Sequence, residues 1–424
     1  MSVFNVRRLI IFGCKGKGTC LNPEQIRKKI TATFAQKPFM QLIEVNDKSL
    51  EKQFIAVNVR INSQDPNYIR PLDKDILNVF DPEKNKALRH STFMRWILKQ
   101  DNKPIGRIAA FVNKKYKNRG DDVPVGGVGF FDCINSQEAA NLLFDTARLW
   151  LEKQGMQAMD GPINLGERDR WWGLLVEGFT PTPYCMNFNP PYYQALFEAY
   201  GFRTFFNQNC YSLFVRDRLQ PKFFERHAII SAMPGMRANH ITKNDLEKYA
   251  QDFATVYNKA WAGHGGLKEV SREHVMIMFR QMKPVMDERL IWFVYHNDEP
   301  IALWVNIPDL NQWFKYLNGR FDWLGKLKFL FIQATKKCRK FTGLVFGVVP
   351  EWQGTGVDSY MIVEGAKIIQ ALNLYHDYEL QWIGDFNQKM INIAMSLGTY
   401  QSRKLITYRY LFDREKEFKR HPQL

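Results

Sequence analysis

One architecture is written twice in this chain. Residues 94–113 run as an apolar strand, a polar turn ending in Lys103-Pro104-Ile105, and a second apolar strand. Residues 290–309 do the same around Glu299-Pro300-Ile301. Both are hairpin patterns, with Asn and Asp supplying the turn and Pro leading into the next strand. The ends of the two copies match as well. Asn189 and Asn387 each open a helical pattern that closes on Gly201 or Gly398, and a strand follows to Phe214 or Phe412. In both copies 25 positions separate the Asn from the final Phe. Asn is suited to cap the start of each helix and Gly to take the left-handed position at its end. An internal repeat of this size constrains the fold before any single residue does.

The repeat predicts two α/β (α+β) domains, 40–215 and 236–413, each a mixed, mostly antiparallel sheet flanked by helices. The span 216–235, punctuated by Pro221 and Met233-Pro234-Gly235, reads as the connector. Residues 414–424 form a C-terminal tail. Residues 1–39 fit neither copy and read as an N-terminal extension, with Met40 opening the first unit. Residues 309–340 exceed the minimal repeat and read as an insertion rich in Trp, Phe and Lys, with helical character. The apolar run Leu9–Phe12 is too short for a signal segment, and Gly13–Gly18 lacks the spacing of a phosphate loop.

Composition narrows the functions. Apolar residues make up 45% of the 424, enough for a substantial core, and no apolar run is long enough to span a bilayer. The six cysteines show no CxxC pair, which argues against a zinc module or a disulfide scaffold and makes a reducing, cytoplasmic setting the expectation; no metal is predicted. A net charge of +16 favours anionic partners such as a phosphorylated co-substrate, lipid headgroups or nucleic acid.

The second copy holds the one segment with a specific chemistry. An apolar strand through Val348 and Val349 runs into Gln353-Gly354-Thr355-Gly356-Val357-Asp358, and a helix follows. Such a junction aims backbone N–H groups and the positive helix end at one spot, which suits a pyrophosphate. The segment resembles the acyl-CoA loop of the GNAT superfamily of N-acetyltransferases, with Asp358 standing where that pattern has a small residue. The Asn387 segment resembles the closing helix and strand of the same superfamily, and so does the Asn189 segment. Two tandem GNAT-like domains are therefore expected, the first without a loop: there Asp132 is followed by an ordinary helix start at Ser136. The resemblance implies acetyl-CoA or another acyl-CoA as co-substrate, held by Val348, Val349, Gln353, Gly354, Thr355, Gly356, Val357, Asp358 and Asn387. It also implies that the strand before the loop splays from its neighbour.

Amine acylation needs a base for the ammonium proton and an acid for the departing thiolate. The strand Phe346-Gly347-Val348 offers neither. The candidates are Tyr184, Glu177, His264 and Tyr400, with Tyr408 a further possible acid. The stretch from Gly161 to Tyr193 spends Gly, Pro, Asn and Trp on a long loop, which marks it as functional or as cement between the copies. Asn164, Glu167, Trp171, Trp172, Asn187 and Tyr192 are its candidate substrate contacts. The expected activity is an acyl-CoA-dependent N-acyltransferase, most simply an acetyltransferase, acting on a small-molecule or peptide amine. An aminoacyl-tRNA-dependent transferase is the second reading, with tRNA as partner, and a non-catalytic acyl-CoA-binding protein the third.

Overall fold

A computed structural model describes residues 39–261 and 269–423. In chain order it contains β1 (Met40–Glu44), α1 (Lys48–Asn62), α2 (Asp73–Val79), β2 (Ser91–Gln100), β3 (Lys103–Asn113), β4 (Val125–Cys133), α3 (Gln137–Lys153), β5 (Ala158–Gly161), β6 (Leu174–Glu177), α4 (Tyr193–Tyr200) and β7 (Arg203–Phe214). After α5 (Pro221–Ser231) come β8 (Met236–His240), α6 (Leu246–Trp261), α7 (Arg272–Met282), β9 (Ile291–His296), β10 (Glu299–Pro308), α8 (Asn311–Phe314) and α9 (Trp323–Thr335). The chain closes with β11 (Lys340–Val348), α10 (Val357–Ala371), β12 (Asp377–Gly384), α11 (Gln388–Ser396) and β13 (Tyr400–Leu411).

The repeated hairpins are β2–β3 and β9–β10, and their turns are built alike. Asp101 and Asn102 have φ of 48° and 63°, and Asn297 and Asp298 have 48° and 69°. Two successive left-handed residues make the tight turn whose twist matches paired strands, and after Gly it is Asn and Asp that tolerate it best. Asn387 accepts from the Met390 N–H at 3.2 Å and caps α11. Asn189 does not cap α4, contrary to the pattern: its amide pairs with the N–H and the carbonyl of Leu175 at 2.9 and 3.0 Å. It clamps β6, which itself interrupts the expected long loop.

All strands join one thirteen-stranded sheet, in the order β1-β2-β3-β4-β5-β13-β7-β12-β11-β10-β9-β8, with β6 also on β13. The two terminal strands of the repeat are exchanged. β7 lies against β12, Asp377 opposite Phe214, while β13 lies against β5, Tyr408 opposite Gly161. β7 and β13 then pair antiparallel with each other over Arg203–Ser212. Alternation along β3 feeds two cores on opposite faces. Ile108 and Ala110 pack with α3, and Ala109 and Phe111 pack with Phe54 of α1. The 309–340 insertion is helical, supplying α8 and α9.

Candidate acyl-transfer site

The site begins where β11 leaves its parallel partner. β11 pairs with β12 only from Lys340–Asp377 to Gly343–Leu380. Beyond Gly343 the strands separate, and the backbone groups of β11 facing the gap have no strand partner. β10 stays paired along the other edge as far as Val348. The result is a wedge with one polar, hydrogen-bond-ready wall.

The loop closes the wide end. Gln353 Nε2 donates to the Val348 carbonyl at 3.1 Å, and Thr355 Oγ1 to that of Trp352 at 2.8 Å. Gly354 and Gly356 have φ of 77° and 103°, which a side chain would strain. Gly356 is the N-cap of α10 and offers no side-chain cap, so the first N–H groups of that helix lack an internal partner. A Cβ on Gly354 would meet nothing within 4 Å, so the loop opens outward. The stem of Arg226 from α5 lies 3.1 Å from the Cβ position of Gly356, bringing an exposed cation beside the helix end. Asp358 sits in the first turn of the helix and is half-buried. Backbone donors, a positive helix end and a nearby guanidinium fit a pyrophosphate.

The interior of the wedge is apolar. Two neighbouring cavities, about 60 and 20 Å³, share Trp304, Ile362, Tyr378 and Leu397 as walls. Phe346, Leu380, Ile383, Met390, Ile393 and Ala394 complete the smaller one. α11 turns no ionisable side chain into it. The only carboxylate among the lining residues is Asp217, which is exposed.

Tyr378 stands at the point where the strands part, its hydroxyl in the space that a Cβ on Gly343 would need. That hydroxyl accepts from Trp304 Nε1 at 3.1 Å, and its own proton goes to no described residue. Burial pushes the phenol well above its ordinary range. Sequence reasoning missed Tyr378 because only the parting of β11 from β12 singles it out. On the other side of the same strand, Glu379 is sealed between Lys340 and Arg403, with Arg403 Nε at 2.7 Å. Burial raises this carboxyl, but the two cations outweigh it and hold it below its usual range.

The first half has the same splay, with β4 pairing to β5 only over Val125–Gly127, but it is filled. The chain after β5 turns back along β4, where the Ile163 N–H donates to the Val128 carbonyl at 2.8 Å. A Cβ on Gly129 would collide with the Ile163 backbone, so no substrate arm can lie there. What remains is a pocket of about 50 Å³ lined in part by Trp171, Asn187, Phe130 and Asp132. Asp132 is saturated by Arg107 Nε at 2.6 Å, Asn58 Nδ2 at 3.0 Å and Tyr193 Oη at 3.2 Å.

The other sequence candidates scatter. Tyr184 donates its hydroxyl to Asp75 at 2.7 Å and packs edge-on against Phe314. Burial and Asp75 raise its pKa far above the ordinary range. Glu177 is exposed, 3.4 Å from Lys404. Tyr400 is half exposed at the start of β13 and rests on Phe214. Tyr408 is buried and donates to Glu198 at 2.9 Å, far from the role of an acid for a thiolate. Asn187 donates to the Gly173 carbonyl at 2.6 Å, and Tyr192 to that of Cys133 at 2.8 Å. Asn164 and Trp172 are buried, and Glu167 pairs on the surface with Arg170 at 3.1 Å. None of these has a hydrogen bond or ring contact with residues 348–358. The predicted extension 1–39 lies outside the described residues but for Phe39, and His264 lies outside them entirely.

The stretch 161–193 instead bridges the halves. Carbonyls of Gly178, Thr180 and Pro181 accept from Arg403, and that of Thr182 accepts from Asn311 at 2.8 Å. Among the described residues no group of His, Cys, Asp and Glu could hold a metal, and no helix is long and apolar enough to cross a membrane.

A splayed parallel strand pair, a glycine loop at its mouth and a helix starting from that loop, occurring in a duplicated frame, define a tandem GNAT-like fold. Solved structures of that class agree. A tandem GNAT protein from the clavulanic acid biosynthesis pathway superposes with a TM-score of 0.51 at 12% identity, over 89% of this chain and 100% of that one. A GCN5-related glucosamine N-acetyltransferase region of a fungal multi-domain β-N-acetylglucosaminidase also gives 0.51 at 12% identity, over 89% of this chain but only 38% of that one. Among curated proteins, the bacterial ceramide synthase of Caulobacter vibrioides is 24% identical over 364 residues, covering 85% of this chain and 94% of that protein. No protein-family model matches the sequence.

Proposed function

We propose that this protein is an acyl-CoA-dependent N-acyltransferase whose second half carries the chemistry. The observation that supports this most is the open, uncapped start of α10 behind Gly354 and Gly356, set at the mouth of the β11–β12 wedge. In this reading the loop N–H groups and Arg226 hold the pyrophosphate, and the free edge of β11 pairs with the arm that carries the thioester. The amine nitrogen bonds to the thioester carbonyl carbon and gives up its proton to water, which returns one to Tyr378, and the carbon–sulfur bond breaks. Backbone N–H groups of β11 stabilise the oxyanion, and Tyr378 donates its proton to the departing thiolate.

The apolar wedge favours an acyl chain longer than acetyl. The ceramide synthase relative supports the same direction, toward a long-chain amino alcohol as acceptor. The test is calorimetric titration with a series of acyl-CoAs, beside Gly356→Glu, which brings a strained carboxylate into the helix end. Binding in the wild type that disappears in the variant supports the proposal. Equal binding by both places the co-substrate elsewhere, and no binding of any acyl-CoA ends the reading.

A further inference from the structure

The 309–340 insertion presents a surface that the acyltransferase reading leaves unused. α9 is pinned to the body by one face only. Phe329 packs among Trp313, Phe314 and Phe321 with ring centroids 5.5–6.1 Å apart, and Ile332 is buried beside it. Trp313 Nε1 donates to the Lys336 carbonyl at 2.8 Å, and Gln333 Nε2 to that of Pro284 at 3.0 Å, so the helix is held at its far end too. Its opposite face is apolar and bare. Trp323 is 69% exposed and Phe331 68%, and Leu324, Leu327 and Leu330 are all above 55%. At 3.6 residues per turn these five fall on one stripe, antipodal to Phe329 and Ile332.

The charges around the stripe decide what it fits. Lys326 falls on one border of the stripe and Lys328 on the other, and Lys315, Arg320, Lys336 and Lys337 surround the helix. All six cations are exposed, and among the described residues none forms an ion pair with a carboxylate. Asp322 caps the helix, accepting from Gly325 N at 2.8 Å, and the partly buried Asp287 and Glu288 share a pocket with Lys336 and Lys337 on the side away from the stripe's two border lysines. An apolar stripe edged by lysines that reach outward is the layout of a helix lying in a bilayer interface. A protein partner would cover such a stripe with few lysines at its border, and a nucleic acid has no use for the leucines. With 13 residues the helix is too short to span a bilayer and lies in its plane.

We propose that α9 is a docking helix for an anionic phospholipid bilayer. The placement has a consequence that rests on the acyltransferase reading. β11 starts beside the insertion at Lys340 and ends at the loop at Val348, so membrane and co-substrate would address opposite ends of the strand that lines the wedge. An acceptor drawn from the bilayer and a water-borne acyl-CoA then reach the wedge without crossing paths.

The experiment is co-sedimentation of the full chain with vesicles of phosphatidylcholine alone and vesicles with about a third phosphatidylglycerol, at low and high salt. Two double variants accompany it, Leu327→Glu with Phe331→Glu and Lys326→Glu with Lys328→Glu. Melting temperature and circular dichroism confirm that the exposed substitutions leave the fold intact. The expected result is binding to the anionic vesicles that weakens with salt and falls at least about tenfold in either variant. Failure of the wild type to bind, or variants that bind as well as it does, overturns the proposal. So does a dimer in light scattering that Leu327→Glu/Phe331→Glu abolishes without any vesicle binding, or tRNA binding lost in the lysine variant while vesicles are ignored. None of these readouts uses acyl-CoA, so docking and catalysis fail independently.

Discussion

Tyr378 and Asp309 show how position sets what a side chain does. Tyr378 brings its hydroxyl to the parting of β11 and β12, and the proton it carries goes to no described residue. Tyr378→Phe is expected to lower kcat by about 10²-fold with little change in acyl-CoA affinity. Steady-state kinetics beside calorimetry check it; an equal loss of affinity would mean that the ring, and not the proton, matters. Asp309, at the end of β10, is buried and accepts from Asn311 N at 3.1 Å and Tyr184 N at 3.3 Å. Burial lifts its pKa from 3.8 to about 6, against the pull of Lys340. The fold therefore favours the protonated acid. That preference contributes fully below the unfolded value and is lost as pH rises from about 4 to about 6. Asp309→Asn keeps the accepting oxygen and cannot ionise. Its melting temperature should match the wild type near pH 4, gain on it as pH rises to about 6, and keep that lead above.

At the level of elements, α10, α11 and the β11–β12 wedge act together. Leu397, just past α11, lines both small cavities. Leu397→Trp fills them, and overpacking of this kind costs about 1–3 kcal/mol of stability. We expect turnover of long acyl-CoAs to fall at least about tenfold relative to acetyl-CoA, since the short chain does not need the cavities. Competition assays across chain lengths measure the ratio; a uniform loss would show that the wedge does not hold the acyl chain. The repeated hairpins and the closing helices were legible because their signals are local: Asn-Asp turns, a cap three residues from its N–H, a Gly at a helix end. The clamp by Asn189 was not, because its partner Leu175 is fourteen residues back and β6 carries no strong pattern of its own.

Across the whole molecule, the exchange of β7 and β13 couples the halves. Each half borrows the strand that covers β5 or β12, and Arg403 ties β13 to Glu379 and to three carbonyls of the 178–181 segment. A fragment of residues 1–220 expressed alone leaves β5 and β6 as open edges, which pair with other chains. It should be insoluble or form swapped dimers, and co-expression with 221–424 should restore a soluble 1:1 complex. Size-exclusion with light scattering distinguishes this from two monomers, the outcome that would show independent domains.

Sequence alone determined the duplication, the tight turns, the Asn387 cap and the glycine loop, because each depends on residues within a few positions of one another. The helical insertion and its lysines belong to the same class. Tertiary structure decided which sheet each final strand joins, since two strands of nearly equal pattern satisfy either edge and only packing across the halves chooses. It also decided that one splay is filled by Ile163 while the other stays open, that Tyr378 stands at the open one, and that the apolar face of α9 is left uncovered. Those outcomes depend on which distant side chains arrive at a given place, and no local spacing encodes that.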